Sequence, residues 1–291
     1  MRKIAIHGRR IAEDSVSHVE QIFSFLKSKD CQVYISPQFS ELLISRSITS
    51  NYPIYDTFYG LEGFELILSL GGDGTLLDTL THVGSSQLPI LGINLGRLGF
   101  LAVISKENID DALESYFQGN FTYDDRSLIS LESSSDLFNG HGYALNEFAI
   151  LRKDTSSMIV VKCCLDGEYL NTYWADGLIV ATPTGSTGYS LSCGGPVIIP
   201  NTRNFIITPI SPHNLNVRPL IVSEDSELTI KIESRNPSYQ VSLDSRSESI
   251  EQIMEFKVKK APFCSRLVKI DGTSFLDTLR NKLTWGLDKR N

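Results

Sequence analysis

No stretch of this 291-residue chain approaches the ~20 consecutive apolar residues of a membrane-spanning helix. The start, Met1-Arg2-Lys3-Ile4-Ala5-Ile6-His7-Gly8, is basic but lacks an apolar run of signal-peptide length. No membrane association is therefore expected, and the cytoplasm is the expected compartment. Cysteine is sparse and badly placed for cross-linking. Five residues, an odd number, with Cys163 and Cys164 adjacent and no Cys-x-x-Cys spacing, provide neither a disulfide framework nor a zinc site. They read as reduced, mostly buried thiols. The five histidines, His7, His18, His82, His141 and His213, show no metal-binding spacing, so none is assigned to catalysis and no metal-ligating residue is expected. Positive charge is also in deficit: 27 Lys and Arg against 34 Asp and Glu give a net charge of −7, which argues against a nucleic-acid-binding surface. Repeats and low-complexity segments are missing. What remains, 41% hydrophobic and 21% charged residues, is the composition of a folded globular protein.

The first ~120 residues alternate strand-like and helix-like segments, the pattern of helices covering a largely parallel sheet. Ile4-Ala5-Ile6 begins it, Val16, Val19, Ile22, Phe23 and Leu26 recur at helical spacing, and Cys31 to Ser36 is β-rich. Glu65 to Leu70 reads as a strand buried on both faces that runs into Gly71-Gly72-Asp73-Gly74-Thr75, with Leu76, Leu77, Leu80 and Val83 marking a helix beyond. Pro89 to Ile93 is a further strand, followed by the loop Asn94 to Phe100 and a helical stripe of Ile109, Ala112, Leu113, Tyr116 and Phe117. From about Phe121 the pattern changes to short β-like runs, including Tyr143–Leu151, Ser157–Leu165, Gly177–Thr182, Glu227–Glu233, Tyr239–Leu243 and Met254–Lys259. Asp166-Gly167 is a hairpin signal, and Thr273 or Ser274 can cap a last amphipathic helix carrying Phe275, Leu276, Leu279 and Leu283. The expected division is an α/β domain, residues 1–120 with the C-terminal helix 272–291, and a β-rich domain, residues 121–271.

Three constellations bear on chemistry. Gly71-Gly72-Asp73-Gly74-Thr75 stands at the mouth of a parallel strand, where glycines admit phosphates and the next helix offers unpaired N–H groups. An aspartate there would repel phosphate unless it takes a proton from a hydroxyl nucleophile or holds Mg²⁺. The loop lacks a P-loop ending, and alone it is equally a tight turn. The second constellation runs from Asp176 through Thr184-Gly185-Ser186-Thr187-Gly188-Tyr189-Ser190 to Pro196 and is dense in small donors suited to an anion, a ribose or a flat base. The third is Asn146-Glu147, inside an otherwise apolar strand-like run and suited to ribose hydroxyls or an adenine amino group, as also to a solvated strand edge. Asp244, at the end of Tyr239–Leu243, favours a turn when taken alone.

In content and order, Gly71 to Thr75, the Asn94 to Phe100 loop, Asn146-Glu147 and Asp176 to Pro196 resemble the NAD kinase family across nearly the whole chain. The Gly-Gly-Asp-Gly element is shared with diacylglycerol-type lipid kinases and phosphofructokinases, whereas the Thr184 to Ser190 run, Pro212-His213 and Arg218-Pro219 are similar to the NAD kinase pattern. The resemblance implies a Rossmann-like N-terminal α/β domain, a β-sandwich-like NAD-binding domain and a final helix returning to the first. It also implies ATP and NAD as substrates, Mg²⁺ or another divalent cation with ATP, and a homo-oligomer, tetramer or dimer. Asp73 would be the general base toward the adenosine ribose 2′-hydroxyl, with Gly72 and Gly74 leaving the phosphates room. Asn146 and Glu147 would meet the adenosine part of NAD, Asp176 the nicotinamide carboxamide, and Thr187, Gly188, Tyr189, Ser190, Leu191 and Ser192 would surround the dinucleotide. Asp244 is similar to a ligand-contacting aspartate near a neighbouring subunit's site. Three positions depart from the family pattern: Gly188 replaces Ala, Arg246 a frequent Gln, and Trp174 a basic residue. Trp174 and Arg246 are still expected at the ligand. The alternatives are a lipid kinase and a non-catalytic NAD(P)-binding regulatory module.

Overall fold

A computed structural model describes residues 1–48, 51–57, 61–153, 158–233, 238–272 and 274–285. The chain begins with β1 (Lys3–Gly8), α1 (Val16–Ser28), β2 (Gln32–Ile35), α2 (Pro37–Ser45), β3 (Leu66–Leu70), α3 (Asp73–Val83), β4 (Ile90–Asn94), β5 (Ile104–Ser105) and α4 (Ile109–Gln118). It continues through β6 (Phe121–Ser133), β7 (Tyr143–Ala144), β8 (Glu147–Arg152), β9 (Ile159–Leu165), β10 (Glu168–Ala175), β11 (Gly177–Ala181) and α5 (Tyr189–Ser192). The remainder is β12 (Asn204–Ile210), β13 (Leu220–Ser223), β14 (Leu228–Ile232), β15 (Tyr239–Leu243), β16 (Arg246–Ile250), β17 (Glu255–Ile270) and α6 (Phe275–Leu283). These elements form two compact units, residues 1–125 with the C-terminal segment from Ser265, and residues 126–264.

In the first unit β1 to β4 are parallel in the order β2-β1-β3-β4, with Ile4 opposite both Val33 and Leu66 and Leu68 opposite Leu91. Parallel neighbours need crossovers, and α1 and α3 supply them. Because helices cover the sheet, β3 and β4 are buried at every position, which is why they read as unbroken apolar runs. Val19, Ile22, Phe23 and Leu26 of α1 and Ile109, Ala112, Leu113 and Tyr116 of α4 share one core with Ile4, Ile6, Leu66 and Leu68. From β1 the sheet grows in one direction to β2 and in the other to β3, so a topological switch point falls between β1 and β3, at whose carboxyl ends ligands of open α/β sheets bind. Gly8 and Leu70 are paired there. Leu267 of β17 pairs with Ile90, and Phe275 of α6 meets Phe100 with ring centroids 6.3 Å apart, so the last helix belongs to this unit. The sequence reading passed over α2, although Ser36, whose side chain accepts the Phe39 N–H, and Pro37 at the first turn are start signals.

The second unit is a sandwich. A six-stranded antiparallel sheet runs β13-β12-β11-β8-β15-β16, and β10-β9-β14-β17 form an antiparallel run in another sheet. Phe148, Ile150, Leu178, Val180, Phe205, Ile207 and Val241 from the first join Val161, Cys163, Leu228, Ile230, Phe256 and Val258 from the second in one core. Strand β11 is buried on both faces: Leu178 and Val180 enter that core, whereas Ile179 and Ala181 pack with Ile198 on the other face. The segment from Thr184 to Ile198 is thus anchored to the back of the six-stranded sheet.

Two expectations need correction. The run Tyr143–Leu151 is split into β7 and β8, with Leu145 and Asn146 outside both strands, because their N–H groups are drawn to the Asp244 carboxylate instead of a ladder. The run Met254–Lys259 belongs, from Glu255 on, to the much longer β17. Ser157 and Thr273 lie outside the described residues; Ser274 is the N-cap of α6 and makes no side-chain cap bond. Asp166-Gly167 does turn β9 into β10, at φ of 51° and 83°. An L side chain at Gly167 would be strained there, so Gly167→Ala is expected to cost about 1 kcal/mol. Urea unfolding of the two proteins checks this.

Candidate active site

The first unit assembles its site at the β3–α3 junction. Gly71 has φ +150°, and a Cβ on it would fall 2.3 Å from Thr75 Oγ1, so the strand can enter the helix so abruptly only with glycine. No side chain caps α3, and a Cβ on Gly72 or Gly74 would meet nothing within 4 Å. The helix therefore presents its first N–H groups and positive dipole end beside open space, an arrangement that suits phosphate.

Asp73, in the first turn of α3, is gripped by the loop after β4. Its Oδ2 accepts the Phe100 N–H at 2.8 Å, and its Oδ1 accepts the N–H groups of Leu101 at 3.0 Å and Ala102 at 3.1 Å. A carboxylate oxygen has two lone-pair sites. Oδ2, with one donor, retains one to receive a proton. The loop closes on Asp73 because residue 99 is glycine: a Cβ there would lie 1.8 Å from Asp73 Oδ1. Asn94 shapes the same loop, donating to the Arg97 carbonyl at 2.8 Å and accepting the Gly96 N–H at 2.8 Å.

In the second unit Asp244 is the organising group. It sits in the β15–β16 turn at φ +53°, and its carboxylate accepts the N–H groups of Leu145 (2.9 Å), Asn146 (2.7 Å) and Glu147 (3.2 Å). The turn reading of its backbone holds. Burial raises its carboxyl, by more than the three N–H donors and the Arg246 charge lower it. Arg246 spends its guanidinium on the His141 and Tyr143 carbonyls and lies over the Phe138 and Tyr143 rings, each centroid 5.7 Å away.

The Asn146-Glu147 corner is met by the hydroxyl-rich loop. Thr182 N–H donates to the Asn146 carbonyl at 2.8 Å, and a Cβ on Gly185 would fall 2.1 Å from that carbonyl. A Cβ on Gly188 would lie 3.1 Å from Glu147 Oε2 and 3.9 Å from Asn146 Nδ2, so the glycine that departs from the family pattern gives both side chains room. Glu147 Oε2 is buried without a hydrogen bond. Burial first, and the Asp244 charge second, push the Glu147 carboxyl up to about 8 against the Tyr189 N–H that opposes them.

The other expected residues separate by environment. Thr187 and Leu191 are half-buried, and Tyr189 and Ser192 are exposed. Ser190 is buried, its hydroxyl 2.8 Å from that of Thr208. Asp176 is paired by Arg152 through Nε at 2.9 Å and Nη2 at 3.3 Å. Trp174 is exposed on β10. Sequence reasoning missed Arg152, and it named Gly99 and Gly185 only as members of their loops, without the close approach each allows. Glycines in loops that follow buried strands were the available signal for those two; nothing in the spacing announced Arg152.

A glycine-lined, uncapped helix start at a switch point, with a carboxylate immobilised beside it and one lone pair to spare, defines a nucleotide-dependent phosphotransferase. Residues 4–121 match the ATP-NAD kinase N-terminal domain, and residues 145–270 match the ATP-NAD kinase C-terminal domain. The chain belongs to the ATP-NAD kinase family. It is similar to the NAD kinase of Cytophaga hutchinsonii, 46% identical over 99% of both chains. The NAD kinase of Flavobacterium johnsoniae is 45% identical over 99% of this chain and 100% of that one. Among solved structures, an Archaeoglobus fulgidus NAD kinase in complex with ATP has a TM-score of 0.77 at 28% identity, covering 97% of this chain and 98% of that one. Yeast NADH kinase complexed with NADH shares the fold, with a TM-score of 0.88 at 22% identity over 99% and 89% of the two chains.

Two outcomes are expected of this geometry. Gly99→Ala, by pushing the Asp73 carboxylate off its donors, should reduce turnover by about tenfold or more with the circular dichroism spectrum unchanged. For Glu147 the sign follows from its raised value: between 4.5, its ordinary value, and about 8 the folded protein holds a proton that the unfolded chain has released. Stability contributed by that proton is lost as pH rises through the window. The melting temperature of the wild type should therefore fall by several degrees relative to Glu147→Gln as pH is raised from about 4.5 to about 8. Parallel melting profiles that do not diverge would contradict the raised carboxyl.

Proposed function

We propose that the protein transfers the γ-phosphate of ATP to the 2′-hydroxyl of the adenosine ribose of NAD, giving NADP, and that Asp73 is its general base. The observation that carries this is the Asp73 carboxylate, fixed by three backbone N–H groups at an uncapped helix start with Oδ2 retaining a lone pair. A ribose hydroxyl is a weak nucleophile, so most of the acceleration comes from holding it in line with the γ-phosphorus and removing its proton as the bond forms. The N–H groups at Gly72 to Gly74 receive the phosphates.

In the second unit Asn146 offers both donor and acceptor to the adenosine, and Glu147, protonated near neutral pH, donates where a carboxylate would only accept. Asp176, oriented by Arg152, takes the nicotinamide carboxamide, and Trp174, exposed on β10, is a further ligand contact. Thr187, Gly188, Tyr189, Leu191 and Ser192 line the dinucleotide. Ser190, Asp244 and Arg246 act through the loops that they hold.

Mg²⁺ or another divalent cation is expected to arrive with ATP. Such an ion keeps several waters and binds chiefly through nucleotide oxygens. That fits a site whose fixed carboxylate, Asp73, already accepts three N–H groups and keeps its remaining Oδ2 lone pair for the ribose proton. Its contribution is to offset charge on the phosphates. Within the described residues no helix is long and apolar enough to cross a membrane. A cytoplasmic homo-oligomer, dimer or tetramer, is part of the proposal; the exposed Leu220 and Ile221 on edge strand β13 are side chains that a second copy would cover.

Asp73→Asn tests the base. With ATP, Mg²⁺ and NAD, wild type should form NADP, read by an NADP-specific dehydrogenase, and the variant should be roughly 10²- to 10⁴-fold slower with its fold intact. Near-normal turnover by the variant would remove Asp73 from the role, and absence of NADP with both proteins would overturn the reaction.

A further inference from the structure

Sequence spacing offers no metal-binding histidines, yet the parallel sheet gathers His7, Asp78 and His82. One donor atom from each lies within 4.8 Å of the other two. His7 is buried near the end of β1, while Asp78 and His82 are four residues apart on α3, on one face of the helix and half-buried. From this geometry we infer a binding site for one divalent transition-metal ion of the zinc type.

The donor set is two imidazoles and a carboxylate, which suits Zn²⁺ and leaves a fourth position for water. His7 Nε2 and Asp78 Oδ2 are hydrogen-bonded at 3.0 Å, and a few tenths of an ångström of spreading would bring them to the ~3.3–3.6 Å between two ligands of a tetrahedral zinc. The outer contacts match as well. Ligating histidines are oriented by a hydrogen bond on the other ring nitrogen. Here His7 Nδ1 is 2.8 Å from Ser36 Oγ, and His82 Nδ1 is 2.9 Å from Tyr55 Oη. The rings meet edge to face at 4.4 Å, so each is held by a hydroxyl on one side and its neighbour on the other. In the metal-free protein the His7–Asp78 hydrogen bond holds the carboxylate together with Arg9, whose Nε is 3.5 Å from Asp78 Oδ2. Arg9 is half exposed and free to swing into water when a dication replaces it.

Asp78 follows Asp73 by five residues, about 7.5 Å along the helix axis. An ion here ties α3 to β1 beneath the phosphate loop and is distinct from the cation carried by ATP. Binding requires neutral imidazoles, so it weakens as pH falls.

The probe is Co²⁺ titrated into chelator-treated, nucleotide-free full-length protein. One equivalent is expected to bind with the visible bands of a four-coordinate ion and no sulfur-to-cobalt band, and Zn²⁺ should displace it and raise the melting temperature. Asp78→Asn and His82→Gln should each weaken Co²⁺ binding by at least about tenfold. Because either change could disturb the metal-free fold, imidazole ¹⁵N spectra of the wild type give a second reading. Zn²⁺ should move the His7 and His82 signals and leave His18, His141 and His213 in place. No stoichiometric Co²⁺ binding, undiminished binding in both variants, a thiolate band, or shifts confined to the other histidines would each overturn the site.

Discussion

A carboxylate that accepts three successive backbone N–H groups fastens one loop to another, and this chain uses that device twice. Asp73 takes the N–H groups of residues 100 to 102, and Asp244 takes those of residues 145 to 147. Each charge-assisted bond is stronger than a neutral one. Three converging on one group leave the donor loop little choice of conformation. In the first unit the device fixes the Asp73 carboxylate at the start of α3; in the second it fixes the backbone that presents Asn146 and Glu147. Both depend on glycines at points of close approach, Gly99 against Asp73 and Gly185 against Asn146, where a methyl group would overlap the partner.

This explains which parts were legible in the sequence. The β3–α3 junction could be read because its signals are local: a doubly buried strand, then glycines, then a 3.6-residue apolar period. Asp73 stood out because an acid at a phosphate-binding turn is electrostatically misplaced without a further role. Its donors were not legible, being 27 to 29 residues away. Asp244 was legible as a turn residue and illegible as an acceptor, since its partners lie 97 to 99 residues off. The same distance accounts for the run Tyr143–Leu151, whose apolar pattern continues through a corner that a remote carboxylate bends.

The hydroxyl-rich run shows a second limit. Its composition announces many small donors, but composition does not say which way they face. Thr182, Ser186 and Ser190 turn inward, to the Leu145 carbonyl, the Ile198 carbonyl and the Thr208 hydroxyl, and tie the loop to the sheet behind it. Thr187, Gly188, Tyr189 and Ser192 keep access to solvent. Part of the run is scaffold, and its density reflects the cost of burying polar backbone in an irregular segment as much as any ligand.

The pairing of Glu147 with Asp244 follows from the same economy of donors. Two nearby carboxyls in a poorly solvated corner are both raised by burial, and each is opposed by the donors it holds. Asp244 has three backbone N–H groups and the Arg246 charge; Glu147 has the Tyr189 N–H and a buried Oε2 with no partner. Burial thus raises both carboxyls, Glu147 up to about 8 and Asp244 against more opposing donors. A buried Oε2 left unsatisfied beside a second carboxyl is unfavourable for the folded protein. A neutral carboxylic acid next to a carboxamide presents donors as well as acceptors, where a carboxylate would only accept.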